Sequence, residues 1–195
     1  MKTYPIDSGV DFGLWKDPTS RLMYFDVMDG ILDGLDTAGN VADYGGANGL
    51  LKHFIPNAVS IDCDPTKQPD IVDDILTHEG EYDLIVIRYV LHYLDPLEQF
   101  ALFRHISTFH DGPVLVIQFT NDGEDYDLKM ENSINELKYF LTGQELRDLF
   151  QDFDILWHKQ HPYQVTAEFY ANRLDNPNGK PHGEVCNAVL IRREQ

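Results

Sequence analysis

The chain has 195 residues and carries 33 acidic against 15 basic side chains, which gives a formal net charge of −18. This length fits one domain, and an apolar share of 43% is sufficient for a packed core. The few lysines and arginines are scattered, so the composition argues against a nucleic-acid-binding surface. We interpret the acidity chiefly as a solvated surface, with attraction of cationic substrates as the alternative.

Targeting and disulfide signals are also missing from the sequence. No apolar run approaches the ~20 residues that span a bilayer. Residues 1–7 lack the apolar stretch of a signal peptide. The only two cysteines, Cys63 and Cys186, are too few and too separate to indicate a disulfide framework. These features predict a single cytoplasmic domain over residues 1–195, with no membrane segment.

The N-terminal region is predicted to be helical. Asp17 is a capping side chain, and Pro18 suits the first turn of a helix. We interpret the apolar stripe that follows as a face packed against a sheet rather than as a partner-binding surface. The residues of this stripe, which recur at helical spacing, are Leu22, Phe25, Met28, Ile31, Leu32 and Leu35.

A glycine-rich turn follows the first predicted strand. Residues 41–49 have the sequence VADYGGANG, a short strand that ends in Asp43 and a run of small residues. Glycines at such a turn let the backbone approach a ligand closely. The next strand, residues 59–62, ends in Asp62, a carboxylate that can accept hydrogen bonds from both hydroxyls of a ribose. Together the two segments predict a site for an adenosine-containing cofactor.

The spacing of the glycines discriminates between cofactors. The dinucleotide fingerprint G-x-G-x-x-G would place Tyr44 where the first glycine is needed, and a side chain there crowds the turn. This argues against a nicotinamide or flavin enzyme. Counted from Asp43, glycines occupy the second and sixth places, while Ala47 occupies the fourth. Ala47 keeps the small size of glycine but lacks its freedom at positive φ.

An acidic residue with small residues at these places resembles the first motif of the class I S-adenosylmethionine (SAM) methyltransferases. Three further segments follow in that family's order: residues 69–76 resemble the acidic segment after the third strand, residues 81–94 the fourth-strand motif of small-molecule enzymes, and residues 112–119 the fifth strand. The resemblance implies a doubly wound α/β fold, with a mostly parallel seven-stranded sheet ending in an antiparallel hairpin. It also implies SAM as the cofactor and methyl transfer to an oxygen, nitrogen or sulfur atom of a small molecule.

The resemblance implies which residues hold SAM. Asp74 and Ile75 match the acidic and apolar pair that contacts adenine, and Arg88 follows the fourth strand, where it would line the pocket. Arg21 is an alternative partner for the SAM carboxylate, although we interpret it as a surface arginine. The predicted cofactor-binding residues are Asp43, Gly45, Gly46, Ala47, Gly49, Asp62, Cys63, Asp74, Ile75 and Arg88.

His92, just past the fourth strand, is the candidate catalytic residue. Histidine titrates near neutral pH, so His92 is suited to act as a general base, and a structural hydrogen-bonding role is the alternative. No metal site is predicted. His158 and His161 lie three residues apart on a predicted strand, which points them to opposite faces. Asp122 lies in an acidic loop that could suggest a Mg²⁺ site, but exposure to solvent explains the acidity of this loop equally well.

The remaining elements complete the predicted fold. Residues 96–106 predict an amphipathic helix, and Thr142 with Glu145 predicts a capping box at the start of another. Residues 153–170 and 185–191 predict two strands joined by a turn-rich loop. By resemblance, residues 1–37 form an N-terminal helical lid, residues 38–120 the SAM-binding core, and residues 121–195 the substrate-side loop, helix and closing hairpin.

Two other functions stay open at this point. Fold and cofactor motifs do not imply catalysis, so a non-catalytic SAM-binding or nucleoside-binding partner or regulatory protein is the first alternative. Methylation of a macromolecule is the second, and the missing basic track disfavours it.

Overall fold

A seven-stranded sheet forms the centre of the molecule. The computed structural model describes residues 28–120, 141–162 and 185–194. The strands across the sheet follow the order β3-β2-β1-β4-β5-β7-β6. Within these ranges the strands are β1 (Val41–Tyr44), β2 (Ala58–Asp62), β3 (Ile71–Val72), β4 (Leu84–Arg88), β5 (Pro113–Thr120), β6 (Phe153–Pro162) and β7 (Val185–Arg193).

Strand directions divide the sheet into two parts. Each neighbouring pair among β1 to β5 is parallel. β7 pairs antiparallel with both β5 and β6. The predicted mostly parallel sheet with a closing antiparallel hairpin is therefore confirmed.

Within the described residues, three α-helices and three short 3₁₀ turns accompany the sheet. The capping box predicted from Thr142 and Glu145 is confirmed, since Thr142 Oγ1 accepts a hydrogen bond from the Glu145 amide at 3.2 Å. The helices are α1 (residues 28–32), α2 (Pro96–Phe109) and α3 (Gly143–Asp148), and the 3₁₀ turns are Leu50–His53, Pro65–Lys67 and Leu91–Tyr93.

Helices cover both faces of the sheet, as a doubly wound fold requires. Side chains alternate along each strand, so Leu84 and Val86 of β4 face one layer and Ile85 and Ile87 face the other. The first layer contains α1 and the Leu50–His53 turn, and the second contains α2 and α3. The β-branched runs of β4 and β5 suit strands that are buried on both faces.

The structure refines several predicted boundaries. β6 is described as far as Pro162, residues 163–170 of the predicted strand lie outside the described residues, and β7 extends to Arg193. Of the predicted apolar stripe, Met28 and Ile31 are fully buried against the sheet, while Leu22 and Phe25 lie outside the described residues. Among the helices that the structure describes, none is long and apolar enough to cross a membrane.

The strand order reverses between β1 and β4. From β1 the sheet continues through β2 to β3 on one side and through β4 to β5 on the other. In open α/β sheets, ligands bind in the crevice outside the carboxyl ends of the strands at such a switch point. The residues that follow β1, β2, β3 and β4 therefore border the crevice in which this fold binds ligands.

Candidate functional site

The turn after β1 brings bare backbone to the carboxyl edge of the sheet. Gly45 has a φ of +69°, and a Cβ at this position would collide with the Val90 side chain. A Cβ on Gly46 would lie 2.7 Å from the backbone oxygen of Asp43. Both glycine amides donate to the carbonyl of Ile61, at 2.8 and 3.2 Å, which joins the turn to the end of β2. Only glycine fits these two positions without a shift of the backbone.

Ala47 takes the left-handed conformation that glycine would have in the sequence motif. Its φ is +45°. The backbone therefore keeps the left-handed conformation, although the alanine side chain makes that conformation less favourable than it would be for glycine. Tyr89, directly after β4, is also left-handed, with a φ of +54°. Strained residues of this kind concentrate at functional sites, and both lie at the same edge of the sheet.

Asp62 links the β1 turn to the end of β2. Its Oδ2 accepts a hydrogen bond from the Ala47 amide at 3.1 Å, and its Oδ1 accepts from the Asp64 amide at 2.9 Å. A carboxylate has about four acceptor positions, so these two bonds fix the side chain and leave capacity for further donors. The geometry suits a side chain that receives a pair of ribose hydroxyls.

Cys63 directly follows β2, whose end is joined to the end of β3 by a hydrogen bond from the Asp73 amide to the Asp62 carbonyl at 3.1 Å. Burial raises the pKa of its thiol, and the neighbouring charges of Asp62 and Asp74 raise that pKa further. The cysteine is nevertheless exposed at the surface. The structure thus brings together three residues that the sequence analysis assigned to the cofactor. At neutral pH the thiol is protonated and a weak nucleophile.

The segment after β3 forms a compact turn. Asp74 Oδ1 accepts from the Leu76 amide at 2.9 Å, and the Asp74 carbonyl accepts from the amides of Thr77 and His78. Ile75 is 8% exposed and packs into the core. In the predicted adenine-contacting pair, the Asp74 carboxylate is therefore exposed and held by hydrogen bonds of its own turn. The Ile75 side chain lies mainly in the core.

Asp43 and Arg88 form a buried ion pair between β1 and β4. Arg88 Nη2 lies 2.7 Å from Asp43 Oδ2, and Arg88 Nε lies 3.1 Å from Asp43 Oδ1, a two-bond arrangement that is typical of guanidinium and carboxylate. The side chains are 6% and 1% exposed. Both residues were assigned to the cofactor from the sequence. The structure places them beneath the glycine turn, joined to each other.

His92 lies in the Leu91–Tyr93 turn, past the end of β4. It is 7% exposed, and this burial lowers the pKa of the imidazole to about 4, so the ring is neutral at pH 7. Its Nδ1 lies 3.0 Å from Nε2 of Gln118, on the neighbouring strand β5. The Tyr93 ring packs against the imidazole, with 4.4 Å between the ring centroids.

Polar side chains at the ends of β5, β7 and β6 were not identified from the sequence. Asn187 lies opposite Gln118 in the β5–β7 register, donates to Thr120 Oγ1 at 2.6 Å, and lies 2.7 Å from His158 Nε2 through its own Oδ1. Gln118 and Asn187 are fully buried. The available signal was a glutamine or asparagine inside an otherwise apolar strand.

Other sequence assignments have different outcomes. Arg21 and Asp122 lie outside the described residues. His158 bonds to Asn187, and no group of three histidine, cysteine or acidic side chains that could hold a metal ion is found in the described ranges.

The fold is shared with solved methyltransferases. Coclaurine N-methyltransferase, bound to N-methylheliamine and S-adenosylhomocysteine (SAH), is 14% identical, with a TM-score of 0.64 over 89% of this chain and 73% of that one. A SAM-dependent methyltransferase from Anabaena variabilis is 15% identical, with a TM-score of 0.62 over 99% and 96% of the two chains. The N-methyltransferase NodS from Bradyrhizobium japonicum is 15% identical, with a TM-score of 0.57 over 92% and 98%.

Sequence comparison gives no further assignment. No protein-family model matches the chain, and no curated protein matches its sequence. The chain therefore has the fold of the class I SAM-dependent methyltransferases, on the strength of its structure and its strand order.

Proposed function

We propose that the protein transfers a methyl group from SAM to an oxygen, nitrogen or sulfur atom of a small molecule. One observation carries this proposal. The turns that follow β1, β2 and β3 converge at the carboxyl edge of a methyltransferase fold, through the hydrogen bonds that the amides of Ala47 and Asp73 donate to Asp62, each at 3.1 Å.

The residues present fit SAM. Gly45 and Gly46 allow the tight turn that follows β1, because a Cβ on either residue would collide with Val90 or with Asp43. Asp62 has acceptor capacity for the ribose hydroxyls, since its two described bonds use about half of its acceptor positions. Asp74 and Ile75 would contact the adenine. Asp43 and Arg88 would support the turn from below through their ion pair.

SAM, when bound, supplies an activated methyl group. The task left to the chain is to hold the accepting atom in line with that methyl group and to exclude water. Near-attack positioning can account for ~7–11 kcal/mol of a reaction barrier. His92 lies past the end of β4, and we place it beside the accepting group. The N-terminal helical lid over residues 1–37 and the substrate-side segment over residues 121–195 are proposed to enclose the acceptor.

Two features support a small molecule as the acceptor. The net charge of −18 disfavours nucleic acid. Coclaurine N-methyltransferase, which has the same fold, is bound to N-methylheliamine and SAH. The alternative of a non-catalytic SAM-binding protein rests on Ala47, whose side chain projects from a turn that the motif forms with glycine.

The proposed ribose contact predicts a specific loss of affinity. Asp62→Ala removes the carboxylate that would bind the ribose hydroxyls, so the affinity for SAH should fall about 10- to 150-fold, as for hydrogen bonds to a charged group. Calorimetric titration with SAH measures this directly. Asp64→Ala is the matched control, because Asp64 caps only the Pro65–Lys67 turn two residues away. Equal affinities for the two variants would reject the assignment of Asp62.

Turnover distinguishes the enzyme from the binding protein. Incubation with SAM and pools of small hydroxyl, amine, thiol and carboxylate compounds should produce SAH in excess of the acceptor-free rate. Binding of SAM without SAH formation by any pool, or by protein and nucleic-acid fractions, would favour the non-catalytic alternative.

A further inference from the structure

The Gln118 side chain fixes the position of the hydrogen on the His92 ring. Gln118 Oε1 lies 3.2 Å from the Leu91 amide nitrogen, and Gln118 Nε2 lies 3.0 Å from His92 Nδ1. A backbone N–H only donates, so the oxygen end of the glutamine must face Leu91. The NH₂ end then faces His92. This orientation follows from the Leu91 N–H, which can only donate.

The tautomer of His92 follows from that orientation. An amide NH₂ group has donors and no acceptor, so His92 Nδ1 must offer its lone pair to Gln118. A neutral imidazole with its lone pair on Nδ1 carries its hydrogen on Nε2. In a charged ring, the Nδ1–H donor would face the NH₂ donor of Gln118 at 3.0 Å. Burial also lowers the pKa of the imidazole, so the ring is neutral at pH 7.

The surrounding contacts hold this arrangement in place. Gln99 Nε2 donates to the carbonyls of Leu91 and Leu94, at 2.7 and 3.1 Å, and so fixes both ends of the turn that carries His92. Gln118 and Gln99 are 1% and 0% exposed. Changing the tautomer requires reversal of a buried amide against the Leu91 N–H.

We propose that Gln118 is a positioning residue that holds His92 in the neutral tautomer with its hydrogen on Nε2, so that the ring serves as a hydrogen-bond donor and not as a general base. This inference rests on the proposed function. A general base would need its lone pair on Nε2, which is the opposite tautomer, so this assignment replaces the base predicted from the sequence.

Nitrogen-15 NMR of the protein without cofactor tests the tautomer directly. The His92 ring is identified by the signals that vanish in His92→Asn. At pH 7 we expect a protonated Nε2 and an unprotonated Nδ1. A protonated Nδ1 in the unsubstituted protein would overturn the proposal. Because no SAM is needed, this result does not depend on the proposed function, which SAH titration tests separately.

Gln118→Glu provides a nearly isosteric reversal. A carboxylate accepts from Leu91 and must also accept from His92, so the hydrogen should move to Nδ1, or the ring should become charged. The change in the nitrogen-15 pattern tests whether Gln118 sets the tautomer. An unchanged His92 pattern in a folded Gln118→Glu protein would contradict the positioning role. If this variant does not fold, the spectrum of the unsubstituted protein still decides the tautomer.

Kinetics separate a donor from a base. His92→Gln keeps an N–H donor near the Nε2 position but cannot act as a base at neutral pH, whereas His92→Ala removes both. We expect His92→Gln to retain turnover within about tenfold, and His92→Ala to lose about 10²-fold, as for removal of one stabilising donor. Equal losses in the two variants, with SAH affinity unchanged, would contradict donation by His92.

Discussion

Ala47 shows how one residue of the glycine turn departs from the motif without changing the backbone. Its φ of +45° places a side chain in the left-handed region, where an L-residue costs about 1–2 kcal/mol. The Asp62 carboxylate, bound to the Ala47 amide, helps to hold this conformation. The turn therefore stores strain at the edge where we place the cofactor.

Ala47→Gly is predicted to stabilise the protein. Relief of the left-handed side chain outweighs the greater freedom of glycine in the unfolded chain, so the free energy of unfolding should rise by about 1 kcal/mol. Urea denaturation measures the change. The control is Ala38→Gly, at an exposed position with a negative φ, which should lower stability by about 0.5–1 kcal/mol. A loss of stability in Ala47→Gly would show that this turn is not strained.

The sequence predicted candidate residues for this site better than it predicted the hydrogen bonds between them. Asp62 and Gly45 were predicted because a motif fixes the type and spacing of residues that are near in sequence. Gln118 was missed as the partner of His92, because the two are 26 residues apart and meet only when β4 and β5 pair. Tautomers and left-handed φ values depend on such distant contacts.

At the scale of elements, the Asp43–Arg88 ion pair joins the ends of β1 and β4. These strands flank the point where the sheet order reverses, and both side chains are almost completely buried. A buried charge is tolerated because its partner is present at hydrogen-bond distance. The pair thereby stabilises the platform under the glycine turn.

Removal of one partner should be costly. Arg88→Leu leaves the Asp43 carboxylate buried without its guanidinium, which we expect to lower the free energy of unfolding by about 3–5 kcal/mol. The double variant Arg88→Leu/Asp43→Asn removes the unpaired charge and should recover part of that loss. The control Arg104→Leu, on the exposed side of α2, should change stability by less than about 0.5 kcal/mol. Equal effects of the two arginine substitutions in denaturant titrations would contradict the account.

Element boundaries were predictable where the signal is local. The Thr142 capping box and the alternating or continuous apolar runs of the strands are written within a few residues, and the structure confirms them. The two-residue strand β3 is defined by its pairing with β2, at Ile61↔Ile71 and Asp62↔Val72. A strand that exists mainly through its partner has little sequence signal of its own.

At the scale of the whole molecule, the order of four segments along the chain was enough to predict the sheet. The three solved methyltransferases described above have the same fold and are only 14–15% identical to this chain. The fold needs apolar strands, turns and helices in a given order, and many sequences satisfy that pattern. Substrate choice depends on the residues around the acceptor, and the fold does not determine them.

Acid should destabilise the whole molecule through His92. The unfolded histidine takes up a proton near its ordinary pKa of 6.5, whereas the buried ring takes one up only near pH 4. The unfolded chain therefore binds more protons in this window, and stability falls as the pH falls from 6.5 to 4, by about 3 kcal/mol for this group. Thermal melts across that range, compared with His92→Gln, isolate the contribution. An equal slope in both proteins would contradict the burial of a neutral His92.

The most direct test of the account is calorimetric titration of the unsubstituted protein with SAM and with SAH. The convergence of the β1 turn, Asp62 and Asp74 predicts micromolar binding of both ligands, since both contain the adenosine that these residues would contact. The absence of binding by either ligand would contradict the central claim, and the methyltransferase fold would then serve a different function in this protein.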